Sequence, residues 1–372
     1  MKFEGGKNQL MINPRLSEEE KQSLQELQLE FEKQFGTENY FLVPSSGSSK
    51  GVHQSIKLIA LSSESILNSA KRVNLFLQAT AADSWGLCLP EFHVAGLGVL
   101  ARAYLSGSKV SKFVFDAVSL PMIIENNKIN FLSLVPAQIY DLVQANVAAP
   151  ANLKKVFVGG GILARSLREA AEKLNWPVVE TYGMTESGSM IATRSQGEIF
   201  FKVLENVSVK TEADALMIKC NSLLTAVIQK IGLKISLIKF EKDDWYKTED
   251  AVIVHEGPSL ELLGRKSDYV KILGEGVSLA ELRERLQVLA LRAGILQNSV
   301  ELIAVDDPRA GALIAIVFEA SVADKDQSLV IEQFNSACRP YEKIVRSFVL
   351  RHIPRTDLGK LKSEELKSII KE

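Results

Sequence analysis

Residues 155–187 read KVFVGGGILARSLREAAEKLNWPVVETYGMTES. The apolar run at 155–158 closes on a glycine triplet, and Leu163, Leu167, Ala170 and Leu174 then recur at helical spacing. A second apolar run follows at 178–181 and breaks at the next turn. Two further short runs, at 85–89 and 131–135, read as strands of the same kind. Strands alternating with amphipathic helices imply a layered α/β domain.

Outward from this unit, the pattern changes twice. Toward the N-terminus, Ser17 and Glu20 have the spacing of a capping box. Leu24, Leu27, Phe31 and Phe35 form the apolar stripe of the helix they open, and Gly36 ends it. Toward the C-terminus, residues 197–262 carry runs such as VSVK, ALMIK, AVIV and LELLG between turn-prone or charged residues, which predicts antiparallel β structure. A second α/β unit begins near Gly264. Its helix is capped by Ser278 with Glu281, runs through Leu282, Leu286 and Leu289 and stops at Gly294, with strands at 300–305 and 312–318. The expected organisation is a large α/β domain over residues 1–266 with a β-rich part at 197–262, and a small mobile α+β domain over 268–372.

Composition narrows the function. The chain has 372 residues, enough for two or three domains with a sizeable core. It is 46% hydrophobic and 24% charged, which excludes a disordered chain or a coiled coil. Lys and Arg (44) balance Asp and Glu (45), so no general affinity for nucleic acid or an anionic membrane is expected. Cys88, Cys220 and Cys338 lie far apart, which disfavours a zinc site and a disulfide framework. No signal peptide or run of 18 apolar residues is evident, and the expected location is the cytoplasm.

Several strings carry chemistry. In SSGSSKGV (residues 45–52), backbone amides and hydroxyls can wrap a polyphosphate while Lys50 supplies positive charge; an ordinary surface loop has the same composition. In VGGG and ETYGMTES, glycines at a strand end let a flat ring approach the backbone. Tyr182 could stack on that ring, Thr185 could bond a phosphate, and the Glu186 carboxylate could hold magnesium; a tight turn with a surface carboxylate is the plain alternative. Then come WYKTEDAV (245–252), LLGRKSDYVKILGEGVSLAEL (262–282) and IPRTDLGKLKSEEL (353–366). In these, Asp250 could equally cap a turn, Arg265 could pair with a carboxylate, and Lys360 could be a solvated lysine.

Their order and spacing decide the matter. Together the strings resemble the adenylate-forming acyl-CoA synthetase family, whose motifs are similar to TSGTTGxPKG, YGxTE, YxTGD, GRxDDxIKxxGxxV and PxTxxGK. The resemblance implies that Ser45, Ser46, Gly47, Ser48, Ser49 and Lys50 form the phosphate loop, and that Gly159, Gly160 and Gly161 form the adenine shelf. Tyr182, followed by Gly183, becomes the adenine-stacking ring, Thr185 a phosphate ligand and Glu186 the magnesium carboxylate. Asp250 and Arg265 would hold the ribose, Ser267 would be the hinge, and Lys360 would bridge the substrate carboxylate and the α-phosphate.

Within that family, LPEFHVAGLGVLARA (89–103) and SLVPAQIYDLV (133–143) most resemble ligases acting on o-succinylbenzoate, which implies His93 and Arg102 at the acid; a buried structural histidine and an ion pair on the helix surface are the plain alternatives for the two. The implied cofactors are ATP, Mg2+ and coenzyme A, the last as co-substrate. A ligase for another aromatic or medium-chain acid, or an ATP-binding homologue without turnover, are the alternatives. Three departures stand out. The phosphate loop lacks the GxP residues, Glu249 replaces a glycine and Ser267 replaces the usual Asp or Lys. The chain also lacks about the first third of the usual large domain.

Overall fold

The computed structural model describes residues 2–44, 55–265, 268–357 and 359–371. At its centre five parallel strands, Lys109–Lys112, Ser84–Leu87, Phe131–Leu134, Lys155–Val158 and Val178–Met184, lie side by side in that spatial order. The four inner strands are covered by neighbours and read as apolar runs, whereas the edge strand Lys109–Lys112 is partly exposed and does not. Trp85, Phe131 and Phe157 pack together in the layer beneath the helix Val94–Ser106. The expected helix forms at Arg165–Lys173, with Leu167 and Ala171 buried.

The strand read at 178–181 runs on to Met184, because it pairs antiparallel with Ser189–Arg194 and the pairing carries Tyr182 and Gly183 into the sheet. From Ser189–Arg194 the sheet continues through Phe201–Val203, Ser259–Arg265, Tyr246–His255, Ala215–Cys220 and Val207–Glu212, every pair antiparallel. The antiparallel content read at 197–262 is present and divides between two sheets. Ala226–Ile231 and Lys234–Lys239 join Ser55–Ser62, Tyr40–Pro44 and Gln9–Leu10 in a separate five-stranded sheet.

The helix Glu18–Phe35 has the capping box expected of Ser17 and Glu20 and lays Leu24, Leu27 and Phe31 on Leu42, Leu58 and Ile228 of this smaller sheet. Beyond residue 268, a hairpin (Tyr269–Ile272 with Glu275–Ser278) leads into the helix Leu279–Arg292, capped by Ser278. A three-stranded sheet of Val300–Asp307, Gly311–Glu319 and Ile344–Leu350 encloses a separate core around Leu302, Ile316 and Phe334. No described helix is long and apolar enough to cross a membrane.

Candidate active site at the sheet ends

The ends of the strands Val178–Met184 and Tyr246–His255 converge beside the last loop of the chain. Two glycines permit close packing of the first of these strands on its sheet neighbours. A Cβ at Gly183 would run into the backbone of Ser189 and Met190, and one at Gly159 into the Thr181 hydroxyl. Gly159 therefore lets the end of the strand Lys155–Val158 lie close against its neighbour, and Gly160, at φ 80°, turns the chain away.

Tyr182 is half-buried, and its hydroxyl donates to Asp250 Oδ2 at 2.6 Å. Desolvation, and then the Asp250 charge, push the phenol pKa well above its ordinary value, so the proton stays on the tyrosine. The other Asp250 oxygen lies 3.6 Å from Arg265 Nε, and the two residues face each other in neighbouring strands.

Glu186 sits on the one-turn helix Thr185–Ser187, with its side chain 14% exposed. Around this turn, Gly188 N donates to the Thr185 carbonyl, Leu224 N to the Glu186 carbonyl, and Ser222 Oγ to the Ser187 carbonyl. The buried Arg72 holds Ser222 Oγ through Nη1 at 3.1 Å. Burial lowers the Arg72 pKa. The turn is thus fixed by contacts to its backbone rather than to the Glu186 carboxylate.

Lys57, which sequence reading passed over, donates to Glu186 Oε1 at 3.1 Å. Tyr246 lies against the same carboxylate; burial first and Glu186 second raise its phenol pKa. The signal for Lys57 was present, a lysine two residues into the apolar strand that leaves the Ser/Gly loop. Ser45, Ser46, Gly47, Ser48, Ser49 and Lys50 of the expected phosphate loop, and the expected hinge Ser267, lie outside the described residues.

Lys360 arrives from the far end of the chain. Its side chain keeps contact with solvent, yet desolvation first and the Arg265 charge second lower its pKa, while Asp250, Glu186 and Asp268 pull the other way. Its ammonium thus feels the charges of Glu186, Asp250 and Arg265, the three residues read from separate motifs.

The two acid-contact candidates differ. His93 precedes the helix Val94–Ser106; burial lowers its pKa, and its Nε2 lies 3.9 Å from Asp357 Oδ2. Arg102 is 2% exposed, so it is not a surface ion pair. Its Nη2 donates to Ser189 Oγ at 2.8 Å, and its guanidinium lies over the rings of Trp85 and Phe157 at 5.5 and 5.9 Å. Its Nε has no partner, and no carboxylate among the described residues pairs with it. Burial lowers its pKa to about 9.

A cavity of about 370 Å³ opens between Cys88, Phe92 and Gln138 on one side and Asp357 and Gly359 on the other, and neither His93 nor Arg102 lines it. Desolvation raises the Cys88 thiol to about 12, so it stays protonated. Among the described residues no cluster of three His, Cys, Asp or Glu side chains could cage a metal ion. A lone hard carboxylate such as Glu186 instead suits Mg2+, which keeps several waters and takes its other ligands from substrate phosphates.

A family model described as AMP-binding enzyme matches residues 32–211. The 2-succinylbenzoate–CoA ligase of Bacillus cytotoxicus is 27% identical over 308 residues, covering 78% of this chain and 62% of the relative. That of Listeria monocytogenes is 25% identical over 304 residues, covering 79% and 63%. The chain thus spans less than two thirds of the length of these curated relatives. Among solved structures, the o-succinylbenzoate CoA synthetase of Bacillus subtilis with its acyl-adenylate intermediate superposes with a TM-score of 0.71 at 22% identity, covering 88% of this chain and 68% of that one. An anthranilate CoA ligase with anthranoyl-AMP gives 0.70 at 16%, covering 88% and 67%. These likenesses establish the fold.

Proposed function

We propose, from the match of residues 32–211 to the AMP-binding enzyme model, that the chain is an adenylate-forming enzyme of that family and an ATP-dependent acid–CoA ligase acting on o-succinylbenzoate. In the first half-reaction a carboxylate oxygen of the acid attacks the α-phosphorus of ATP, and pyrophosphate leaves with the bonding electrons. In the second, the thiol of coenzyme A attacks the acyl carbon, its proton is lost, and AMP departs. The adenylate is needed because a free carboxylate is a poor electrophile.

The observation that carries this reading is the convergence on Lys360. Its ammonium stands within electrostatic reach of Glu186, Asp250 and Arg265, although the four residues come from four different motifs. A cation there neutralises the charge that develops between the acid and the α-phosphate. Lys57 supplies a second cation beside Glu186. Magnesium, held by Glu186 and the phosphates, would neutralise phosphate charge when bound.

Ser45 to Ser49 and Lys50 wrap the phosphates, with Thr185 as a further ligand. Gly159, Gly160 and Gly161 give the adenine a flat approach beside Tyr182. Asp250, oriented by Tyr182 and Arg265, takes the ribose hydroxyls. The acyl group occupies the cavity near His93, and the unpaired Arg102 cation takes the carboxylate that does not react. Between the two half-reactions the C-terminal domain turns about Ser267. A reducing cytoplasm suits the three free cysteines.

Pyrophosphate release with ATP, Mg2+ and a panel of o-succinylbenzoate, benzoate, anthranilate and a medium-chain fatty acid tests the assignment. The fastest release is expected with o-succinylbenzoate. Faster release with another acid moves the substrate while leaving the reaction class, and no release with any acid leaves a nucleotide-binding homologue.

A further inference from the structure

We infer that the turn at residues 13–15 is a latch that grips Asp357 and thereby holds the loop carrying Lys360 in its docked position. Both Asp357 oxygens are engaged: Asn13 Nδ2 donates to Oδ2 at 2.5 Å and Arg15 Nη1 to Oδ1 at 3.1 Å. His93 Nε2 stands 3.9 Å from the same Oδ2. A carboxylate of the C-terminal domain is thus held by a fork from the opposite end of the chain.

Each half of the latch is stiff. On the N-terminal side, Asn13 Oδ1 accepts from Arg15 N at 3.0 Å, its carbonyl accepts from Leu16 N, and Pro14 fixes φ between them. Just upstream, Met11 N donates to the Leu42 carbonyl and ties the turn to the smaller sheet, while Ser17 just downstream caps the first helix. On the C-terminal side, Thr356 N donates to the Lys360 carbonyl, Gly359 N to the Thr356 carbonyl, and Lys360 N to Thr356 Oγ1. This closed turn couples the position of Asp357 to that of Lys360.

The contact is also weak enough to break. Arg15 is 83% exposed, and an exposed ion pair adds little to stability. A contact that must open in every catalytic cycle needs that property. Asn13, Arg15, Asp357 and Gly359 also line one side of the cavity, so release of the latch opens its roof.

The inference rests on the two-step reading for its kinetic consequence but not for its structural one. In the full chain, with dyes attached bio-orthogonally at the exposed positions 233 and 345, single-pair energy transfer reports how much of the C-terminal domain is docked. N13A/R15A is expected to lower the docked fraction several-fold, to slow pyrophosphate release about 3- to 10-fold, and to leave thioester formation from synthetic acyl-adenylate equal or faster. R15K should restore most of the docked fraction, and adding D357A to N13A/R15A should cost nothing more. An unchanged docked fraction in N13A/R15A, or a further loss with D357A, overturns the latch. A wild-type chain that releases no pyrophosphate with any acid overturns the ligase reading, while the energy-transfer result still decides the latch.

Discussion

Lys57 Nζ and Glu186 Oε1 meet 3.1 Å apart, joining the strand that follows the Ser/Gly loop to the turn that closes the central strand Val178–Met184. The pair is largely shielded, with the two side chains 27% and 14% exposed. On the proposed function, this pair supplies one cation for the nucleotide phosphates and one anion for their metal ion. In the free protein each charge compensates the other, and both become available to a ligand carrying the opposite sign.

Lys57 should therefore matter more than Lys50 to the first half-reaction. Removing a donor that stabilises charge in the transition state costs about 10²–10³ in rate. K57A is expected to lose that much in pyrophosphate release at saturating ATP, and K50A to lose less. The measurement is a single-turnover release assay on both variants, with melting temperatures to confirm folding. The reverse order would return the phosphate role to Lys50.

The second expectation concerns Lys360 and pH. Desolvation, then Arg265, hold its ammonium below the usual lysine range. The charged form is the useful one, so the first half-reaction should fail on the alkaline side at a lower pH than an ordinary lysine would dictate. K360A should abolish adenylate formation and spare thioester formation from pre-made adenylate. K360R, charged throughout, should retain part of the activity and lose the alkaline limb. A wild-type profile flat up to the normal lysine range would contradict the assignment.

Tyr182 and Asp250 offer a more local test. A hydrogen bond to a charged group contributes about 1.5–3 kcal/mol, and the 2.6 Å contact orients the carboxylate assigned to the ribose. Y182F keeps the ring and removes that bond. Its KM for ATP should rise about tenfold with kcat nearly constant, because the nucleotide is held equally before and in the transition state. A fall in kcat at unchanged KM would place the hydroxyl in the chemistry itself.

What the sequence made legible follows from the range of the interactions involved. Ser17 with Glu20 and Ser278 with Glu281 are local devices, and their helices start where the spacing said they would. The four inner parallel strands announced themselves as apolar runs, whereas the exposed edge strand Lys109–Lys112 did not. Tyr40–Pro44 and Ser55–Ser62 did not, since their sheet is completed by Ala226–Ile231, far along the chain. The role of Lys57 depends on a partner 129 residues away, and the grip on Asp357 joins positions 342 and 344 residues apart. Spacing within a motif cannot report such contacts. Arg102 is a case of the same kind, since its helical position was legible while its burial over the Trp85 and Phe157 rings belongs to the tertiary structure.

That sealing sets function against stability. A guanidinium taken out of water without a carboxylate costs several kcal/mol, and the rings and the Ser189 hydroxyl return only part of it. If Arg102 is kept for the spare carboxylate of a dicarboxylic acid, replacing it by an apolar side chain of similar length should relieve the protein and harm only that substrate. R102M is accordingly expected to hold or raise the melting temperature. Its kcat/KM for o-succinylbenzoate should fall about 10- to 100-fold, the worth of a charge-assisted hydrogen bond, while benzoate changes by only a few-fold. Parallel titration of both acids against wild type and R102M, with thermal melts of each, separates the alternatives. A lower melting temperature with equal losses on the two acids would make Arg102 a packing element over Trp85 and Phe157, and would move recognition of the second carboxylate elsewhere.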